Sequence, residues 1–227
     1  MAMKNPSDSS YLGAHLARRH FLRTAAGAGL LIPLASHAAT DQVHDLRGKV
    51  TINNRPATYK SDVLPGDRIV TGNDGHFVFV MGQDAMMLRS RSELVIERHE
   101  DSGGLLRLLT GAMGAVFGRG KPRSIVAVNA TAGIRGTGVY METRGDGTYF
   151  CTCWGIVDLA ATKDADDRMV VESKRHVANL IGSDAKDGTR FRSAVFETHT
   201  DEEMDILQKC VGRRSPILVP GGDDLKG

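Results

Sequence analysis

Cys151 and Cys153 are the residues of this chain whose type and spacing could do chemistry. They lie in 149–154 (YFCTCW), a β-prone run, and side chains two apart on a strand point to one face. Two thiolates presented together suit Zn²⁺ or another soft-ligand metal, with two more ligands needed from elsewhere in the chain. His176 follows a late strand and His199 immediately precedes a helix N-cap, both at element ends from which a side chain can reach back. Cys151, Cys153, His176 and His199 therefore form a candidate Cys₂His₂ set for zinc or iron, which would tie a β domain to a C-terminal helix. Two other readings stay open. One is a disulfide from Cys151 or Cys153 to Cys210, the third cysteine of the chain, which would leave one thiol over. The other is buried free thiols. A direct Cys151–Cys153 bridge is disfavoured in a regular strand, because neighbouring side chains run parallel. Covalent haem attachment needs C-x-x-C-H, which is absent; noncovalent haem or iron ligation stays open.

The elements that must position these residues read as strands. Residues 129–155 form two β-prone runs around Gly145-Asp146-Gly147, a hairpin turn entered through a glycine-rich corner at 134–138. Upstream, short apolar runs at 49–52, 68–71, 76–81, 86–89, 94–97 and 105–109 are separated by turn residues, Leu64-Pro65-Gly66-Asp67 among them. Residues 77–81 are apolar at every position, which places that strand centrally in a sheet or between two layers. Downstream, 124–128, 139–142, 149–153, 156–160 and 169–172 continue the rhythm, with an Asp-rich loop expected at 163–168 and a polar loop at 182–188. The spacing predicts a mainly β fold: an antiparallel sandwich or roll, or a solenoid-like stack of short strands. A short C-terminal α-helix follows. Thr200-Asp201-Glu202-Glu203 has a capping-box pattern, Met204, Leu207 and Val211 share a face, and Gly212 is placed to end the helix.

The N-terminus reads as an export signal. Arg18-Arg19-His20-Phe21-Leu22-Arg23 matches the twin-arginine pattern, a short apolar run follows at 24–34, and Ser36-His37-Ala38 offers small residues for cleavage. The expected organisation is a signal peptide at 1–38, a β domain at 39–181, an extension with the helix at 182–215 and a disordered tail at 216–227. The chain has 29 cationic and 27 acidic side chains; Lys4, Arg18, Arg19, Arg23 and Asp8 leave with the leader, so 25 face 26. The cationic excess is lost with the signal, which argues against nucleic acid as a partner. No other apolar run approaches the ~18 residues of a membrane helix. The expected location is the periplasm or the extracellular space.

On these residues the chain resembles the FecR-domain family. The resemblance is carried by Leu64-Pro65-Gly66-Asp67 with Ile69 and Thr71-Gly72, by Gly111 closing a Leu-rich strand, and most specifically by Thr131-Ala132-Gly133-Ile134-Arg135-Gly136-Thr137-Gly138. A Gly155-Ile156-Val157 segment completes it. The resemblance covers roughly residues 48–178. It implies an extracytoplasmic all-β recognition domain; family members relay an iron-siderophore signal from an outer-membrane receptor to a sigma factor. Only about 17 residues precede the twin arginines, too few for a cytoplasmic sigma-binding domain, so that role is not expected here. Gly136 and Gly138 read as a structural corner, with Arg135 expected to satisfy carbonyls around it.

Enzymatic chemistry finds no support. G-x-S-x-G, Walker A, H-E-x-x-H and Rossmann glycine patterns are all absent. His76 and His99 read as surface residues, and Met86-Met87 as core. The expected function is a non-enzymatic, FecR-like module that binds a protein or envelope ligand, with a metal that stabilises it or is sensed by it. The alternatives are a periplasmic metal- or redox-active protein using Cys151 and Cys153, and a structural cell-envelope interaction domain.

Overall fold

A computed structural model describes residues 42–98, 104–120 and 122–218, all within the unit Ala39–Gly227. The leader with Arg18 and Arg19, His99 and the chain beyond Leu218 lie outside the described residues. The described chain is mainly β with one short helix. Its strands are β1 (Val43–Arg47), β2 (Val50–Ile52), β3 (Arg55–Pro56), β4 (Arg68–Thr71), β5 (His76–Met81), β6 (Asp84–Leu88) and β7 (Glu93–Glu97). They continue as β8 (Leu105–Thr110), β9 (Ala112–Val116), β10 (Arg123–Val126), β11 (Ala130–Arg144) and β12 (Gly147–Ala161). The last are β13 (Asp164–Ser173), β14 (Val177–Lys186) and β15 (Thr189–Ala194), followed by α1 (Asp201–Cys210).

Two long strands organise the sheet. β11 and β12 pair antiparallel from Ala130↔Ala161 to Arg144↔Gly147, closing a two-residue turn at Gly145-Asp146. The far half of β11 pairs β9, which leads through β6 and β5 to β1. Its near half pairs β10, which runs parallel to β8 and leads on to β7, β4, β2 and β3. β12 divides likewise, pairing β14 over Gly147–Thr152 and β13 over Gly155–Ala161. The sheet thus has two lobes hinged on one hairpin, and their inner faces close on a common core. Phe77, Phe79, Met113 and Phe150 come from one lobe; Ile69, Leu94, Ile125 and Val157 come from the other. β5 shows why its run is apolar throughout: Phe77 and Phe79 enter this core, while Val78 enters a second cluster on the opposite face.

That second cluster holds the candidate site. It joins Val78, Met87, Ala112, Tyr140, Tyr149, Cys151 and Cys153 to Met204 and Leu207 of α1. A ten-residue helix is marginal in isolation, so α1 exists because its apolar stripe is buried here. Full burial of Met204 and Leu207 contributes about 2 kcal/mol each. Thr200 caps the helix: its Oγ1 accepts from the Glu203 amide at 3.2 Å, and Glu203 Oε2 accepts from the Thr200 amide at 2.9 Å.

Four expectations need correction. Most of the 163–168 segment is the start of β13, where two of its three aspartates, Asp164 and Asp167, pair with Arg190. The sheet does not end at Ile181. β14 runs through the expected polar loop to Lys186 with an exposed polar end, and β15 follows with half-buried, largely polar residues, which hides their strand character in sequence. Arg135 is exposed and, among the described residues, hydrogen-bonds no carbonyl at the corner. The corner itself is a register shift inside β11, with Gly136 at φ 61°. Finally, the regular alternation expected along 149–154 would turn Trp154 away from the cysteines, but it packs in their cluster.

Candidate metal centre

Trp154 changes side because the strand is bulged at Cys153. Val139 pairs Thr152 and Gly138 pairs Trp154, so Cys153 is the extra residue on β12. Gly138 is required at this crossing: a Cβ there would lie 2.3 Å from the Trp154 ring. The bulge falls where β12 changes partner from β14 to β13. The connection between those strands, residues 174–176, therefore crosses at Cys153, and the His176 amide donates to the Cys153 carbonyl at 2.9 Å. His176 has φ 45°, the left-handed region that non-glycine residues seldom adopt. This turns its ring back over the sheet face on which the cysteines lie.

His199 arrives from the other direction. The irregular segment 195–200 between β15 and α1 crosses over Tyr149, whose hydroxyl accepts from the Glu197 amide at 3.2 Å. His199 then stacks on Tyr140 with ring centroids 4.4 Å apart. Phe196 stacks on His176 at 3.9 Å and packs edge-on against His199. Aromatic rings thus fix both imidazoles.

The donor atoms of Cys151, Cys153, His176 and His199 all lie within 4.8 Å of one another. Cys151 Sγ is 3.6 Å from His176 Nδ1, and Cys153 Sγ is 3.3 Å from His199 Nε2. A tetrahedral zinc with ordinary Zn–S and Zn–N bonds separates S and N by about 3.5 Å. The fold therefore brings together the four residues named from spacing, and the two S–N pairs stand at about the separation one zinc ion would span. All three cysteines are unbridged, and Cys210 stands on α1, partly exposed. A [2Fe–2S] cluster with two Cys and two His ligands splits the pairs between two irons. That separation is too large for four donors so close together, so the set would suit a single ion rather than such a cluster.

The second nitrogens of both rings settle the tautomers. His176 Nε2 donates to Asp201 Oδ1 at 2.6 Å, a carboxylate that can only accept. His199 Nδ1 donates to the Glu197 carbonyl at 3.1 Å. The nitrogens facing the sulfurs are then the ones with free lone pairs, and a carboxylate behind a ligating histidine is the usual support for a metal. Asp201 is paired in turn with Arg175. The charges close as well: two thiolates would balance a divalent ion, and Arg175 balances Asp201.

Without an ion, the two thiols divide one proton unequally. The Cys151 thiol is held down to about 4, first by a hydrogen bond from Cys153 and then, against burial, by His176 and His199. Burial pushes the Cys153 thiol well up, and the neighbouring Cys151 charge raises it further. Burial draws the His176 imidazolium down, but its hydrogen bonds to Cys151 and Asp201 outweigh this and raise it.

Sequence reasoning missed the supporting residues. Asp201 reads as an ordinary acid in the first turn of a helix, Glu197 contributes only its backbone, and Phe196 and Tyr140 carry no pattern that links them to a metal. A second concave feature opens at the far end of β12. It is a groove of about 1070 Å³ on the outer face of β10–β13, lined by Arg119, Arg135, Ile156, Glu172 and Lys174 beside Trp154.

No protein-family model matches the chain, and no curated protein matches it. Among solved structures, two crystal structures of a candidate anti-sigma factor from Parabacteroides distasonis match part of the chain. One is 14% identical and the other 13%; each match has a TM-score of 0.43 and covers 54% of this chain and 59% of that one.

Proposed function

We propose that this chain is an extracytoplasmic, non-enzymatic binding module of FecR-like type, in which Cys151, Cys153, His176 and His199 hold one structural zinc ion. The observation that carries the reading is the convergence of two buried thiols and two imidazoles, with all four donor atoms within 4.8 Å. Four protein ligands complete a tetrahedron and leave no position for substrate, which favours a structural site over a catalytic one. The twin-arginine pattern supports export, by a route that carries chains already folded and is therefore compatible with a metal loaded before export. The glycine-rich corner at Thr131–Gly138 underlies the FecR resemblance. The groove beside Trp154 is a place for a partner to bind.

The redox alternative has a specific observation in its favour, the unequal thiol pair. Against it, both sulfurs are 0% exposed, so a partner disulfide has no line of approach. The test is elemental analysis and thiol titration on protein exported by its own leader. Wild type should carry one zinc per chain, and Cys151→Ser and His176→Ala should carry far less. Metal-free wild type, or a disulfide to Cys210, would overturn the reading.

A further inference from the structure

We infer that the metal acts as a latch: its occupancy decides whether segment 195–200 and helix α1 stay docked on an apolar face of the sheet. The inference rests on the zinc reading above and adds a regulatory consequence to it.

The ligands come from pieces of unequal permanence. Cys151 and Cys153 lie on the central strand β12, and His176 lies on a tight turn between two strands of the same sheet. His199 alone belongs to the segment leading into α1. Of the four ligand bonds, the one through His199 is the only one that ties this segment to the sheet. His176 adds a second tie through Asp201, the first residue of the helix. A ligand set that needs the helix docked must in return hold the helix down.

Beneath the latch lies an apolar surface. Tyr149 is covered by the 195–197 backbone, Tyr140 by the His199 ring, and Gly114 by Leu207, to which a Cβ at Gly114 would stand 3.6 Å away. Val78, Met87 and Ala112 belong to the same cluster. Apart from the metal, the helix is held by buried Met204 and Leu207, by the partly buried Cys210 and Val211 packed on the same cluster, by the Asp201 pairs with Arg175 and His176, and by Arg89, which donates to the Glu203 carboxylate and the Thr198 carbonyl. A ten-residue helix that depends on packing against one sheet face lies toward the low-stability end of the fold. The inner core draws on both lobes of the sheet and uses no residue of α1.

Loss of the ion also removes the reason for burying the donors. The two sulfurs and the inward-facing nitrogens of His176 and His199 would remain in an apolar pocket with little but one another as partners, an arrangement that water relieves if the segment lifts. Metal loss therefore uncovers the sheet face without dissolving the sheet.

The test is hydrogen exchange on full-length mature protein, zinc-loaded and then chelator-stripped, with zinc measured in both samples. Stripping should speed exchange of the α1 amides at least tenfold, while β5, β6 and β11 amides keep their protection. Leu207→Ala, which loosens the helix without touching a ligand, should weaken zinc binding at least tenfold by the same linkage. Three outcomes would overturn the latch: unchanged α1 exchange after confirmed zinc loss, loss of protection throughout the sheet, or unchanged zinc affinity in Leu207→Ala. A wild type that never binds zinc would instead overturn the function proposed above.

Discussion

His176 donates from Nε2 to Asp201 at 2.6 Å while Nδ1 of the same ring faces Cys151 Sγ at 3.6 Å. The carboxylate fixes the tautomer, orients the ring and raises the basicity of the nitrogen left for a metal. Asp201→Asn removes the charge but keeps an oxygen that can accept. Zinc affinity should fall about 10- to 100-fold, read by competition with a chromophoric chelator. Circular dichroism of the zinc-saturated variant should match wild type, which separates a ligand effect from loss of the helix.

Metal binding should appear as stability. With free zinc at a thousand times the dissociation constant, linkage contributes about 4 kcal/mol. For a domain of this size that is on the order of 10 °C in Tm. The expected outcome is a zinc-dependent rise of that order in wild type, abolished in Cys153→Ser. Cys210→Ser should keep the full shift, because Cys210 is not among the four clustered donors. Equal shifts in all three proteins would point to nonspecific binding.

The pH dependence follows from which donors already lack a proton. Cys151, held near 4, is a thiolate throughout the neutral range and releases nothing when zinc binds. Cys153 is raised by burial and by its charged neighbour, so it must lose a proton to ligate. His176 is raised too, by Cys151 and Asp201 against burial, and must be free at Nδ1. A proton competes with zinc at both, so affinity should fall steadily as pH is lowered through neutrality and rise above it. Calorimetry in buffers of different ionisation enthalpy should find one proton released from Cys153 plus a fraction from His176. Release of two thiol protons would contradict the unequal pair.

What was legible in the sequence depended on whether a residue's role is local. The four donors could be named because thiols two apart share a strand face and because the histidines stand at element ends. α1 was legible because Thr200 and Glu203 satisfy each other's amides within one turn. β14 and β15 were not, because their alternation is blurred by charged faces and their pairing partners lie far off in sequence. The bulge at Cys153 was hidden for a similar reason. It is set by how β12 registers against β11 around Gly138, and no single strand carries that information. Asp201 satisfied a local rule so well, as an acid at a helix N-terminus, that its second role had no separate signal.

Gly138 gives the most direct test of that hidden geometry. Its missing side chain makes room for the indole of Trp154, the sole tryptophan, and a Cβ would lie 2.3 to 2.5 Å from three ring carbons. The neighbouring backbone is pinned by strands on both sides, β9 and β12, so relief must come from the ring. Gly138→Ala should therefore displace Trp154 and cost about 1–3 kcal/mol, as overpacking of a filled core does. At about 2–4 °C per kcal/mol, Tm should drop by roughly 5 °C. Trp154 fluorescence should shift to the red as the ring leaves its buried position. Because Trp154 follows the bulged Cys153, zinc affinity should weaken in the same variant. Gly145→Ala, at the open turn where nothing stands within 4 Å of a new Cβ, should leave all three readouts close to wild type.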